Sequence, residues 1–115
     1  MKDIINLQKQ VCQKYNLDYL SAGEEMMVGV SEDFLKKKIP INGLRHKPEN
    51  NGSGWFLWSG GEISEDPSFF KPIHIKHLIE EFPEIVKYLG LPSGSRIQID
   101  LKGYEDIWFD EKLND

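Results

Sequence analysis

Two parts of the chain carry hydrophobic residues at spacings of three and four. In residues 3–15 these positions are Ile4, Leu7, Val11 and Tyr15, and lysines and glutamines fill most of the positions between them. This spacing places the four side chains along one side of a helix. The pattern therefore predicts an amphipathic helix over residues 3–15.

A second helical pattern covers residues 74–89, where apolar side chains recur from Ile75 to Leu89. Pro83 interrupts this pattern, and proline removes an amide donor and crowds the preceding turn, so we expect a kink or a restart there. Gly90, followed by Pro92, predicts the end of the helix. Ser31 precedes two acidic residues and predicts the cap of a third, shorter helix, with Lys36–Lys38 near its C-terminal end.

Four segments have the pattern of strands, near residues 25–30, 54–59, 96–101 and 104–110. In the second, Trp55 and Leu57 face one side, while Phe56 and Trp58 face the other, so either both faces are covered or one face displays aromatics, and we favour a central strand covered on both faces. The last two segments are separated by Lys102-Gly103 and predict a hairpin. Residues 40–53 are predicted to form a loop because Pro, Asn and Gly break any periodicity, and the tail 111–115 is predicted to fray.

These elements together predict an α+β fold. We expect one domain over residues 1–115, with a mostly antiparallel sheet packed against the helices at 3–15 and 74–89. The pattern does not indicate the order of the strands or the oligomeric state.

Composition and charge narrow the function classes. The 115 residues have a net charge of −5, 39% hydrophobic residues and one cysteine, Cys12, and no apolar run reaches the roughly 20 residues that cross a bilayer. We therefore expect a soluble cytoplasmic protein without a membrane contact. Residues 60–115 carry six Lys/Arg against twelve Asp/Glu, a balance of −6. This acidic half disfavours nucleic acid and favours a basic partner surface, although many acidic surfaces have no partner.

Several residues could carry chemistry or contacts. Arg45 and His46 lie in the predicted loop, where an arginine can bind a carboxylate of a partner or pair with an acid of its own chain. On the last strand, Asp106, Trp108 and Asp110 share one face, which is typical either of a recognition surface or of an edge strand protected by acids. The candidate contact set is completed by Trp58, Glu62 and Asp66.

Catalytic and cofactor motifs are absent from the sequence. No phosphate-binding loop, dinucleotide fingerprint or nucleophile elbow is present, so we expect no cofactor and assign no catalytic residue. His74 and His77 are three residues apart, but without the His-Glu-x-x-His signature we expect no metal site. Cys12 is expected to be a small buried residue near the first helix.

In five stretches the chain resembles a family of small bacterial immunity proteins encoded beside polymorphic toxins, the immunity-33-like group. The stretches are residues 40–46, 54–60, 69–78, 88–92 and 104–110, and their order along the chain is more specific than any one of them. The sequence departs from the family pattern at Ser93-Gly94-Ser95-Arg96-Ile97, where the family has Pro-Gly-Trp-Arg-Phe.

The resemblance implies a cytoplasmic protein without catalysis of its own, which binds a cognate toxin and neutralises it. Two alternatives stay open from the residues themselves. One is a small-molecule or peptide binding module built on Trp55 and Trp58, and the other is a small enzyme that pairs His46 or His74 with a carboxylate.

Overall fold

Six strands form one mixed sheet in the computed structural model, which describes residues 2–114. Their bounds are β1 (Met27–Ser31), β2 (Ile41–Arg45), β3 (Gly52–Ser59), β4 (Phe70–His74), β5 (Ser95–Ile99) and β6 (Glu105–Phe109). The order across the sheet is β4-β1-β3-β2-β5-β6. Strands β1 and β3 are parallel, and the other four neighbouring pairs are antiparallel. The predicted α+β fold with a mostly antiparallel sheet is confirmed.

Four α-helices pack on one face of this sheet, which we call the helix face. They are α1 (Lys2–Lys14), α2 (Glu32–Leu35), α3 (Ile75–Glu81) and α4 (Pro83–Val86). Their buried side chains join the main core beneath Trp55, Leu57 and Ile97 of the sheet. Each large side chain that is fully buried in this way contributes roughly 1.5–3 kcal/mol, so this layer provides most of the hydrophobic stabilisation.

The helix boundaries follow the predicted signals closely. The side chain of Ser31 accepts a hydrogen bond from the amide of Phe34 at 3.1 Å, which caps α2. Pro83 is the first residue of α4, so the second helical pattern is two helices, as the proline predicts. The pattern overestimates their length, because α4 ends at Val86 rather than at Leu89.

Two strands were not predicted. Residues 40–53 were interpreted as a loop, but Ile41–Arg45 form β2, an inner strand between β3 and β5, and the true loop is shorter. Strand β4 was missed because its sequence, Phe-Lys-Pro-Ile-His, contains a proline and does not alternate. The predicted hairpin of β5 and β6 is confirmed, with Ile97 opposite Ile107.

The opposite side of the sheet, which we call the open face, carries none of these four helices. Its side chains include Leu44, Phe56, Trp58, Phe70, Pro72, Arg96, Asp106 and Trp108. A 3-10 helix, Glu111–Asn114, follows β6 and places the buried side chain of Leu113 against Leu44 and Trp58. The prediction of a frayed tail is therefore wrong for these four residues, and Asp115 lies outside the described residues.

Candidate partner-binding face of the sheet

One row of side chains crosses the whole open face. The strand register places Pro72, Gly29, Phe56, Leu44, Arg96 and Trp108 next to one another, from β4 at one edge to β6 at the other. Neighbouring strands are about 4.8 Å apart, so this row is roughly 24 Å long. A surface of this width is of the size that a partner protein contacts.

A cleft of about 530 Å³ lies at the β4 end of this row. Its walls include the rings of Phe56 and Phe70, which meet edge to face with their centroids 5.0 Å apart. Gly29 makes room for these rings, because a Cβ atom there would lie 2.7 Å from the ring of Phe56. His46 and Leu113 are also among the residues that line the cleft. The cleft therefore combines an apolar floor with polar groups at its rim.

His46 is the predicted contact residue that belongs to this cleft. It follows the last residue of β2, its side chain is exposed, and its ring meets the edge of the Phe56 ring at 5.7 Å between centroids. The amide of His46 donates to the carbonyl of Gly54 at 2.8 Å, which holds the start of the loop against β3. The structure thus fixes the backbone of His46 and leaves its imidazole accessible.

At the other end of the row, Asp106, Trp108 and Asp110 lie on the open face together. Trp108 is 43% exposed. The carboxylate of Asp110 accepts a hydrogen bond from Nε of Arg96 at 2.9 Å, and this hydrogen bond is the main cause that lowers the pKa of Asp110. The predicted arrangement of these three residues is present, with one acid paired and one acid, Asp106, exposed.

A second row on the open face is polar. The hydroxyl of Tyr104 donates to Gln98 at 2.8 Å, the amide of Gln98 donates to Asn42 at 2.9 Å, and the amide of Asn42 donates to the carbonyl of Gly60 at 2.9 Å. Each donor in this series of three hydrogen bonds has a defined acceptor, which fixes the orientation of the two amide groups. The face therefore presents an ordered polar strip beside the apolar row.

The remaining acidic candidates border this face. Glu62 and Asp66 are exposed in the loop between β3 and β4, which packs Phe69 on the open face. One carboxylate oxygen of Asp66 accepts hydrogen bonds from the amide and the hydroxyl of Ser68, both at 2.9 Å, and these bonds lower the pKa of Asp66. The loop thus holds Asp66 in an ordered turn and as an anion.

Two predicted contact residues are buried. Trp58 is 7% exposed, and its Nε1 donates to the carbonyl of Gly61 at 2.8 Å. Arg45 is 0% exposed and lies on the helix face, where burial lowers the pKa of its guanidinium to about 10. The interpretation of Arg45 as a loop residue is wrong, because it ends β2 and its side chain is enclosed by backbone carbonyls.

Two of the histidines are neighbours. The rings of His74 and His77 are 6.0 Å apart at the start of α3. Within residues 2–114 no group of three or more His, Cys, Asp or Glu side chains is placed to hold a metal ion. Cys12 is buried, as predicted, and burial is the main cause that raises the pKa of its thiol.

Several residues of this face were missed in the sequence. Phe70 and Pro72 were missed because β4 was not recognised, and Leu113 because the tail was expected to fray. A hydrophobic residue in an otherwise polar terminal segment was the available signal for Leu113. Gly29 carried no signal, since the need for a glycine there arises from a ring on a neighbouring strand.

Comparison with known protein families identifies the chain's relatives. A family model described as the Imm33-like domain matches residues 7–110. No curated protein and no solved structure matches the chain. Among the described residues, no helix has both the length and the apolar character that crossing a membrane requires. The match begins within α1 and covers all six strands, and the chain therefore belongs to the Imm33-like family.

Proposed function

We propose that this chain is an immunity protein that binds a cognate toxin through the open face of its sheet and neutralises it without catalysis of its own. The family name, Imm33-like, supports the immunity part of the proposal. The open face supports the binding part, because it offers a cleft at one end and an exposed tryptophan at the other, on either side of the buried Leu44.

The observation that carries the choice of surface is the combination of Trp108 and the cleft. Tryptophan is enriched among the residues that dominate binding energies, and the groups that surround such an anchor exclude water from the contact. Trp108 is 43% exposed, and the ordered strip of Gln98 and Asn42 runs beside it. A toxin segment that lies across the row would contact Trp108 and the cleft at the same time.

The electrostatics of this face favour a basic toxin. Asp106 on β6, and Glu62 and Asp66 in the loop between β3 and β4, are exposed acids. Complementary charges at the rim of an interface mainly accelerate association and select the partner. We therefore propose a toxin with a basic contact surface, such as a nuclease domain.

Co-purification with the toxin tests the proposal. The chain is expressed with a tag, together with a catalytically disabled form of the product of the gene immediately upstream, and a stoichiometric complex is the expected result. If no complex forms at low salt, the immunity function proposed here is wrong for that partner.

Matched variants test the surface. Trp108→Ala is expected to raise the Kd of the complex by about 30-fold, the effect of losing a central aromatic contact. Leu7→Ala is the control, because Leu7 is 48% exposed on α1, on the helix side of the molecule. A complex that Leu7→Ala weakens and Trp108→Ala leaves intact would place the toxin on the helix side and exclude the open face.

The cleft also supports a second function, binding of a small molecule or a peptide. Such a site would be centred on Phe56 and Phe70 and not on Trp55 and Trp58, which are 1% and 7% exposed. Saturable binding of a small molecule in the absence of the toxin, lost in a Phe70→Ala variant, would favour this function.

A further inference from the structure

Strand β6 forms one edge of the sheet and carries an unusual concentration of exposed hydrophobic side chains. Leu101, Tyr104, Trp108 and Phe109 are each 43% to 46% exposed, and they lie on β6 or in the turn before it. An edge strand also presents unpaired backbone groups, which makes such a surface a template for another strand. A strand that pairs with β6 must match its free backbone groups and its side chains.

The backbone groups at this edge can be assigned from the ladder with β5. The amide of Asp110 donates to Gly94 at 2.7 Å, and the carbonyl of Tyr104 accepts from Asp100 at 3.3 Å, so the even-numbered residues face β5. Because strand residues alternate, the N–H and C=O groups of Glu105, Ile107 and Phe109 point to the free edge. Three residues therefore offer both donors and acceptors.

The opposite edge of the sheet does not offer the same template. Directly after β4, the amide of Ile75 faces β1 and donates to Met26 at 2.9 Å, so by alternation Pro72 of β4 lies at a position that faces the free edge. Proline has no N–H group, and its place on an edge strand prevents a regular ladder there. Among the described strands, β6 is therefore the edge that offers an uninterrupted run of free donors and acceptors.

We propose that β6 pairs with β6 of a second copy of this chain, antiparallel and about a two-fold axis at Ile107. In this register Ile107 lies opposite Ile107 of the other copy, and Glu105 lies opposite Phe109 in both directions. Each of these three pairs joins residues whose backbone groups face the edge, so each can exchange two N–H···O hydrogen bonds. The two sheets then form one continuous sheet.

The side chains favour this register over one centred on Glu105. In the Ile107-centred register, Asp106 lies opposite Trp108 of the other copy on the open face, and Glu105 lies opposite Phe109 on the helix face. A register centred on Glu105 would place two glutamates directly opposite each other, which is unfavourable. Glu105 and Asp106 are acids of the kind that protect an edge strand from pairing with unrelated strands. In the Ile107-centred register neither of them faces another acid, so they are compatible with a second copy of the chain. This inference does not rest on binding of a toxin.

Measurements of mass and of amide exchange on the full chain test the proposal. Sedimentation equilibrium is expected to show a monomer at low concentration and a dimer at high concentration. Amide hydrogen exchange at Ile107 and Phe109 should become slower as the dimer forms, while Asp106 and Trp108, whose amides face β5, should not change. A monomer at every concentration would overturn the proposal, and so would a dimer that leaves the exchange at Ile107 and Phe109 unchanged.

A pair of charge variants gives the second test. Phe109→Glu places a negative charge opposite Glu105 of the other copy, whereas Phe109→Lys places a positive charge there, and both lose the same aromatic ring. Because the contact occurs twice about the two-fold axis, we expect the dimer Kd of the glutamate variant to exceed that of the lysine variant by about tenfold or more.

Leu7→Glu and Leu7→Lys are the controls, since they change the net charge equally on α1. They should shift the Kd by less than about threefold in either direction. A difference between the Leu7 variants as large as that between the Phe109 variants would attribute the effect to net charge and overturn the assigned register.

Discussion

At the scale of single residues, Arg45 joins three separate segments of the chain. Its guanidinium donates to the carbonyl of Ser53 at 2.9 Å, to those of Leu20 and Ser21 at 2.7 and 2.9 Å, and to those of Leu89 and Leu91 at 3.1 and 2.8 Å. A neutral substitution would remove the guanidinium donor from all of these carbonyls in the interior, and only that of Leu89 would keep another side-chain donor, Nε1 of Trp55 at 2.9 Å. We therefore expect Arg45→Met to lower the free energy of unfolding by about 3–5 kcal/mol, measured by urea denaturation.

The control for this prediction is Arg96→Met on the open face. Arg96 pairs with Asp110, but both side chains are about one quarter to one third exposed, at 30% and 25%. Partly solvated pairs of this kind contribute less than about 1 kcal/mol. If the free energy of unfolding fell equally in the two variants, burial of the Arg45 guanidinium would not increase its contribution to stability.

Glu105 makes the stability depend on pH. Burial alone would raise the pKa of its carboxyl, but hydrogen bonds from Tyr15, Tyr88 and Lys14 outweigh burial and lower the pKa to about 2. A carboxyl whose pKa is lower in the folded state stabilises the protein above its unfolded pKa, and the stabilisation is lost as the pH falls through the folded value.

We therefore expect the free energy of unfolding to fall by about 1–3 kcal/mol from this group between pH about 5 and about 2. Glu105→Gln should be less stable than the wild type at neutral pH and should lack this part of the pH dependence in urea titrations. Glu62→Gln, in an exposed loop, is the matched control. A Glu105→Gln profile parallel to the wild type would contradict the assignment.

The sequence predicts the placement of a side chain well when the partners of that residue are close in sequence, and poorly when they are distant. Asp106, Trp108 and Asp110 were placed on one face correctly, because alternation along a strand is a local rule. Arg45 was placed wrongly, because charged residues are almost never fully buried unless they are paired. Its partners, residues 20–21 and 89–91, lie far away in sequence, and no local pattern indicates them.

At the scale of elements, β2 depends on a glycine that appeared to mark a loop. A Cβ atom on Gly43 would lie 2.8 Å from Leu57 and 2.9 Å from Ile97, and both of these side chains are at most 1% exposed. Valine has a higher strand propensity than glycine by up to about 1 kcal/mol, but the buried neighbours cannot move away.

The clash should therefore outweigh propensity, and we expect Gly43→Val to lower the free energy of unfolding by about 1–3 kcal/mol. Gly61→Val is the control, since nothing lies within 4 Å of a Cβ atom there. The two variants are compared by thermal and urea unfolding. A Gly43→Val variant as stable as Gly61→Val would show that the space between β3 and β5 is larger than the structure indicates.

The elements that were predicted and those that were missed differ in how local their signals are. Helix α1 and the hairpin of β5 and β6 carry clear periodicities, and their positions were predicted within a few residues. Strand β2 is an inner strand with Asn42 and Gly43, so neither its composition nor an alternating pattern marks it. Its identity follows from pairing with β3 and β5, which is a property of the whole sheet.

At the scale of the whole molecule, the net charge is −5, and the charged side chains are unevenly distributed. Exposed acids such as Glu62 and Asp106 border the open face, whereas Glu80 and Glu81 lie on α3, on the helix side. If a basic toxin binds the open face, its association rate should fall steeply as the ionic strength rises, because salt screens charges beyond about 10 Å at 0.1 M.

Two double variants with the same net charge locate this effect. The variant Asp106→Asn with Glu62→Gln is expected to slow association with the toxin by about tenfold at low salt and to flatten its salt dependence. The variant Glu80→Gln with Glu81→Gln removes the same two charges from the helix side and should retain most of the rate. Stopped-flow or surface-based kinetics at several salt concentrations give the comparison. Equal slowing of association in both variants would mean that the total charge of the protein attracts the toxin. An unchanged association rate in both variants would remove electrostatics from the proposed mechanism. The contacts of Trp108 and the cleft would then be tested on their own.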